Sequence, residues 1–285
     1  MVHLPIRFAI NRICAARLPL PAFAAMACRL GVTTIELRND LDGAETHDGT
    51  ATGDILAITR GHGLTIRSIN ALQRFDQWDV ARAREATALM RQASACGAQA
   101  VVLCPTNSRQ DPRSDTQRLD DLLLALRQIL PLLHDHGLTG LIEPLGFAEC
   151  ALRRKSQARY AIQTLGSPTT LQLVHDSFHH HLAGEDTFFA ADTGLVHVSG
   201  VDDPRPARDA MRDPHRVLVG PRDRLDTVGQ LRTLLAAGYR GAVSFEPFAD
   251  AVITAADIEQ QLARSMAYLS AAVAASTGAD GSSVR

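Results

Sequence analysis

The segment HDSFHHH, residues 175–181, sets four histidines and one aspartate within seven consecutive positions. Imidazole and carboxylate are common ligands of divalent transition metals, so the run reads first as metal chemistry. Adjacent side chains on one segment cannot all face one ion. A real site must therefore draw ligands from elsewhere in the chain. Glu143 and Glu246 qualify by context: each sits in an apolar run and precedes a proline, in LIEP and SFEP. A carboxylate so placed is costly to bury without a partner. His197, in GLVHVSG, has similar surroundings. Two glutamates, Asp176 and His197 together offer oxygen-rich mixed coordination. That set suits manganese, cobalt or zinc and leaves positions for substrate oxygens. Each residue also has a plainer reading. Asp176 caps the turn after it, His197 is a core histidine, and the glutamates are surface-loop carboxylates.

What must position these residues is an alternation of short apolar runs and helix-length intervals. Strands are expected at 6–11, 33–38, 64–70, 100–105, 138–144, 170–176, 194–200 and 241–247. They are short and rich in β-branched residues, as strands covered by helices are. Helices are expected at 19–30, 51–63, 79–97, 115–137, 224–241 and about 253–273. The fourth shows a leucine-rich face, Asp115 as N-cap, Gly137 as its stop and Pro131 as a kink or division. Eight strands separated by helix-sized intervals predict a single (β/α)8 TIM barrel over residues 1–274, with a disordered tail over 275–285. The weak unit is GEDTFFAAD (184–192), too short for a long helix. A doubly wound sheet is the competitor. It lacks its usual glycine-rich phosphate loop, since INRICAARLPL follows the first strand.

In a barrel, chemistry gathers at the carboxyl ends of the strands. Those ends are where Glu36, Glu143, Asp176, His197 and Glu246 fall. Strand alternation turns Asp176 toward the pocket and His175 away from it, into packing or support. His179 returns to the pocket on the first turn after the strand, while His180 and His181 are weaker candidates for substrate contact. Asn11, Asn70 and Asn107 stand at other strand exits, where they line a pocket or cap loops.

The bulk numbers allow one large α/β domain or two smaller ones. The 285 residues are 46% hydrophobic and carry a formal net charge of -2. Lys155 is the one lysine, which leaves no lysine-rich tail for a nucleic-acid backbone. The five cysteines include no CxxC pair and read as reduced thiols, with Cys104 and Cys150 near strand ends. No signal-like or membrane-length apolar stretch occurs, which predicts a soluble cytoplasmic protein without membrane contact. Assembly as a homo-oligomer is left open.

The motifs EPLGFAE (143–149), DSFH (176–179), VHVSG (196–200) and FEP (245–247) resemble the xylose-isomerase-like TIM-barrel family of sugar isomerases and epimerases. Closer still, ELRND (36–40), SINALQRF (68–75), HDSFHHHLAGE (175–185), GLVHVSGVDDP (194–204) and DPHRVLVG (213–220) are similar to proteins grouped with inosose (2-keto-myo-inositol) isomerase of inositol catabolism. The resemblance implies one divalent ion on Glu143, Asp176, His197 and Glu246. It makes Glu143 and Glu246 acid/base as well as ligand, and His179 and Glu149 substrate contacts. Gly146-Phe147 stands where the 3-epimerases of the family carry an Asn-Arg pair, which weakens that assignment.

The expected reaction moves a proton between neighbouring carbons of a small polyhydroxylated α-hydroxyketone through a cis-enediolate. Arg216 and His179 orient hydroxyls and face negative charge. Ketose 3-epimerase, hydroxypyruvate isomerase and keto-cyclitol dehydratase are alternatives on the same scaffold. An abasic-site endonuclease is a further one, because Asp213-Pro214-His215 supplies an extra Asp-x-His. It lacks the histidines a three-metal cluster needs after the early strands. A binding barrel without catalysis is disfavoured because a buried acidic cluster without a cation repels itself.

Overall fold

The computed structural model describes residues 6–275. Eight parallel strands close in chain order: β1 (Phe8–Asn11), β2 (Thr34–Arg38), β3 (Thr65–Gln73), β4 (Ala100–Cys104), β5 (Thr139–Ile142), β6 (Leu171–Asp176), β7 (Thr193–Val198) and β8 (Val243–Phe245). Strand β8 pairs back to β1 through Phe8–Val243 and Ile10–Phe245, so the doubly wound alternative is excluded. Around them lie α1 (Leu20–Arg29), α2 (Thr52–Gly61), α3 (Val80–Ala95), α4 (Asp115–His136), α5 (Lys155–Thr164), α6 (Ser177–Ala183), α7 (Thr227–Ala236), α8 (Asp250–Ile253) and α9 (Ile258–Ala275). The tail expected to be disordered, from 276 onward, lies outside the described residues; Ala275 itself ends α9. Among the described residues no helix is long and apolar enough to cross a membrane.

Four expectations about helices need correction. The cap of α4 is Ser114, whose hydroxyl accepts from Gln117 N while the Gln117 side chain returns to Ser114 N. That reciprocal box satisfies two end donors, which Asp115 one position later cannot do. Of the kink or division expected at Pro131, the division does not occur: α4 runs unbroken from Asp115 to His136, with Pro131 and Arg127, four positions back, both exposed to solvent. Helix α5 was hidden by the polar run RRKSQARY. Moreover, the short connection after β6 holds its helix before GEDTFFAAD rather than within it.

Strand parity decides which side chains reach the barrel axis. Val101 and Leu103 pack outward in the main core with the helices. Ala100, Val102 and Cys104 face inward with Leu141, Val174 and Leu195, forming a small apolar plug. Two residues further along the same strands, and so on the same face, come Glu143, Asp176 and His197. The plug thus floors a polar chamber at the carboxyl end of the barrel. Gly137 ends α4 in the left-handed region at φ 65°, which costs an L-residue with a side chain more than glycine.

Candidate metal centre and substrate cavity

Glu143, Asp176, His197 and Glu246 are buried together, and one ligand atom from each lies within 4.8 Å of the others. The His197 ring orders the set. Its Nδ1 is 2.9 Å from Glu143 Oε1, 3.3 Å from Glu246 Oε2 and 4.0 Å from Asp176 Oδ2. Its Nε2 is turned to Glu36, 3.1 Å from Oε1 and 3.2 Å from Oε2. Glu36 in turn accepts from Ser68 Oγ at 2.5 Å and Asn70 Nδ2 at 2.8 Å. A carboxylate at one ring nitrogen fixes the ring and leaves the other nitrogen's lone pair for a cation. Burial disfavours charge on His197, but Glu246, Glu36 and Glu143 outweigh it and push its pKa up. Burial likewise raises the Glu36 carboxyl, yet His197 draws it down to about 2.

Asp176 divides its labour between two oxygens. Oδ1 accepts from Phe178 N at 2.7 Å and His179 N at 2.9 Å, capping α6. Oδ2 faces the cage and accepts from Arg216 Nη2 at 2.6 Å. The capping reading and the ligand reading of Asp176 thus describe different atoms. Glu246 is held from both sides: Oε2 accepts from Arg216 Nη2 at 3.0 Å, and Oε1 accepts from Arg38 Nη1 at 2.8 Å and Asn11 Nδ2 at 3.2 Å. Burial opposes its ionisation, but His197, Arg216 and Arg38 hold the carboxyl well below the usual range. Glu143 is freer. Its Oε2 meets the Cys104 thiol at 3.6 Å.

Three carboxylates and one imidazole, all buried and convergent, fit a divalent cation by ligand type and number. The cage opens into a cavity of about 330 Å³. His179, Asn70, Asn107, Cys104 and Arg216 line it beside Glu143 and Glu246. His179 is wedged edge-on against Phe147 and Phe178, with ring centroids 5.2 and 5.3 Å away. Its Nδ1 is buried and has no protein partner. The approach of the LIEPLGF segment to α6 requires glycine at 146: a Cβ there would stand 2.0 Å from His179 O.

Other residues lie elsewhere. Glu149 is not among the residues lining the cavity; its carboxylate is 3.6 Å from Arg109. Asn107 is exposed at the rim, and its backbone bridges to Cys150. Asn11 and Glu36 stand behind the cage, not in the cavity. Cys150 packs in a separate apolar cluster with Phe147 and Phe178, and all five cysteines are free thiols. His215 accepts from its own Arg212 N at 2.9 Å and is not part of the cage.

His175 faces away from the cavity. Gln230 donates its amide to Ser177 O and Leu225 O, so its oxygen accepts from His175 Nε2 at 2.9 Å. His175 Nδ1 then accepts from Lys155 Nζ at 2.8 Å. Lys155 Nζ also donates to Phe188 O at 3.1 Å and lies 5.3 Å from that ring's centroid. Burial pulls the Lys155 pKa down to about 7. His180 packs in the same layer, its ring tilted against that of His175 at a centroid distance of 4.7 Å, and burial lowers its pKa to about 3. Neither His180 nor His181 lines the cavity.

Arg38, not among the residues expected at the site, reaches it as well, although its place in the sequence carries the signal. Arg38 is two residues after Glu36 on β2, so parity sends both inward.

A profile of the xylose isomerase-like TIM barrel matches residues 24–272. Among solved structures, a xylose isomerase domain-containing protein from Salmonella typhimurium is 33% identical, with TM-score 0.87, covering 94% of this chain and 99% of that one. An IolI protein with a bound zinc atom is 18% identical, TM-score 0.81, over 95% and 99% of the two chains. A D-psicose 3-epimerase from Clostridium cellulolyticum is 12% identical, TM-score 0.73, over 94% and 99%. The last two are likenesses of fold. No curated protein matches the sequence. With the match spanning most of the chain and 33% identity to a solved relative, this protein belongs to the xylose isomerase-like TIM barrel family.

Proposed function

We propose that the protein is a divalent-metal-dependent isomerase of a small α-hydroxyketone, best matched by a keto-cyclitol such as an inosose. The observation that carries this reading is the convergence of two glutamates, an aspartate and an imidazole on one point beside a cavity of about 330 Å³. That volume suits one monosaccharide-sized molecule. A bound divalent ion, with manganese, cobalt or zinc as candidates, would polarise the substrate's carbonyl and acidify the neighbouring C–H.

The chain's own residues divide the remaining work. Glu143 takes the carbon-bound proton, because its Oε2 meets only a thiol while both Glu246 oxygens accept from arginines. Glu246 stays ionised and fixed. His179 presents an imidazole to the substrate's hydroxyls, and Arg216 faces negative charge developing on the enediolate. Phe147 and Phe248 exclude water from part of the cavity wall. A single available base returns the proton on the face from which it came. That favours moving the carbonyl along the carbon skeleton over inverting a centre, which needs a donor on the opposite face. The IolI and epimerase neighbours are compatible with this class of chemistry.

The test is an NMR assay of manganese-loaded protein in D2O with inososes, tagatose, fructose and hydroxypyruvate. Solvent deuterium should enter the carbon next to the carbonyl, and the product should be a positional isomer. An epimer or a dehydrated product would replace the isomerase reading. Absence of exchange with every substrate, with manganese bound, would sink it. Chelation should abolish turnover and manganese should restore it.

A further inference from the structure

The two oxygens of the cage nearest His197 Nδ1 on the Asp176 and Glu246 side are Asp176 Oδ2 and Glu246 Oε2. Arg216 Nη2 donates to both of them, at 2.6 and 3.0 Å. A cation in the cage and the Arg216 guanidinium therefore share the same two ligand atoms. The guanidinium has little freedom to leave. It is 1% exposed and packs between the rings of Phe178 and Phe248, at 5.1 and 4.6 Å. Its Nε donates to Ser199 Oγ at 3.1 Å, and its Nη1 is 3.3 Å from Asp213 Oδ1. Its positive charge is permanent.

Two effects of that charge oppose each other. It orients ligand oxygens, which favours capture of an ion, and it repels the ion itself. The geometry decides between them, since both carboxylates are oriented without Arg216. Asp176 is held through Oδ1 by the first turn of α6, and Glu246 through Oε1 by Arg38 and Asn11. Removing Arg216 takes away the repulsion and leaves the ligands in place.

We propose that Arg216 is a built-in counter-cation of the cage, which weakens capture of the divalent ion and makes it exchangeable, as well as facing the substrate. The proposal rests on the reading of the cage as a divalent-ion site. Arg38 plays the same part more weakly, because it reaches Glu246 through Oε1, the oxygen turned away from His197 Nδ1.

The experiment measures Mn2+ affinity alone, by the electron paramagnetic resonance of free Mn2+, for wild type, Arg216→Gln, Arg216→Lys and Arg38→Gln, with folding checked by circular dichroism. Arg216→Gln should bind Mn2+ about tenfold more tightly than wild type, as expected for removing a unit charge beside the ligands in a partly screened interior. Arg216→Lys, which keeps the charge without the fork, should stay within about threefold of wild type. Arg38→Gln removes the charge while Asn11 and the new amide can still donate to Glu246 Oε1, so it should tighten binding by about threefold, and it carries the test if Arg216→Gln does not fold. Unchanged or weaker affinity in the folded glutamine variants overturns the counter-cation. A wild type that binds no Mn2+ overturns the divalent-ion reading together with it.

Discussion

Asp176 and His175 are neighbours on β6, yet they belong to chemically opposite regions. On the Asp176 side, buried charge is met by buried charge: Glu246 by Arg38 and Arg216, and Glu36 by the His197 ring. On the His175 side, burial works against positive charge on each basic group. Burial lowers the pKa of Lys155 to about 7 and of His180 to about 3, and holds His175 well below its usual value. The difference follows from what each face can offer as a partner. The barrel axis collects acids and arginines from several strands, whereas the helix-covered face offers Gln230, a carbonyl and phenyl rings. A histidine count cannot separate the two sides, but alternation along one strand does.

If that division is correct, substitutions on the two sides should fail in different ways. The largest effect is expected at Glu246→Gln: kcat should fall by about a thousandfold or more with the barrel still folded by circular dichroism. Near-normal turnover would break the functional assignment of the axial side. Next comes His179→Ala, at the edge between the regions. It should cost about 10- to 100-fold in kcat/KM through lost contacts to substrate, while Mn2+ affinity moves by less than about threefold. A large drop in metal affinity would place His179 in the cage instead.

Lys155→Met should leave kcat/KM within about threefold, since the side chain touches neither cage nor cavity, but it should change the pH dependence of stability. The sign follows from the lowered pKa. Below pH 7 the lysine is charged in both folded and unfolded chains, and the cost of burying it is fully present. From about 7 to 10.5 the unfolded chain binds a proton that the folded chain does not, so stability rises with pH. Denaturation of wild type against Lys155→Met, between pH 6 and 9.5, should show this rise weakened in the variant. Parallel profiles would mean that Lys155 titrates as an exposed lysine. The smallest effect belongs to His181→Ala, half-buried and remote from the cavity, with stability expected within about 0.5 kcal/mol of wild type and activity unchanged.

The barrel could be read from the sequence because its strands are short apolar runs ended by glycine- and proline-bearing turns, and all eight expected strands overlap the observed ones. Glu143, Asp176, His197 and Glu246 could be brought together from sequence by a single rule, that strand ends share a rim. What stayed hidden were partners chosen by tertiary packing. The contact of Arg38 with Glu246 spans 208 residues, and no local pattern pairs them. Helix α5 escaped because its inward residues are mostly small or polar (Lys155, Ala158, Ala161, Ile162), so its buried face carries little hydrophobic signal. Ser114 and Asp115 are both good N-cap residues, and only the reciprocal bond with Gln117 separates them.

Gly146 sets a limit on how this active-site wall can change over successive mutations. Any side chain there would meet His179 O at 2.0 Å, Leu182 Cβ at 2.8 Å and Ala183 N at 2.9 Å. Two of those atoms are backbone, so trimming a neighbouring side chain does not make room. Exchanging Gly146-Phe147 for a polar pair therefore cannot be achieved as a first step. The exit of β5 and the helix α6 carrying His179 must move apart beforehand, so a lineage or a designer seeking a different substrate must alter the scaffold before the contact residue.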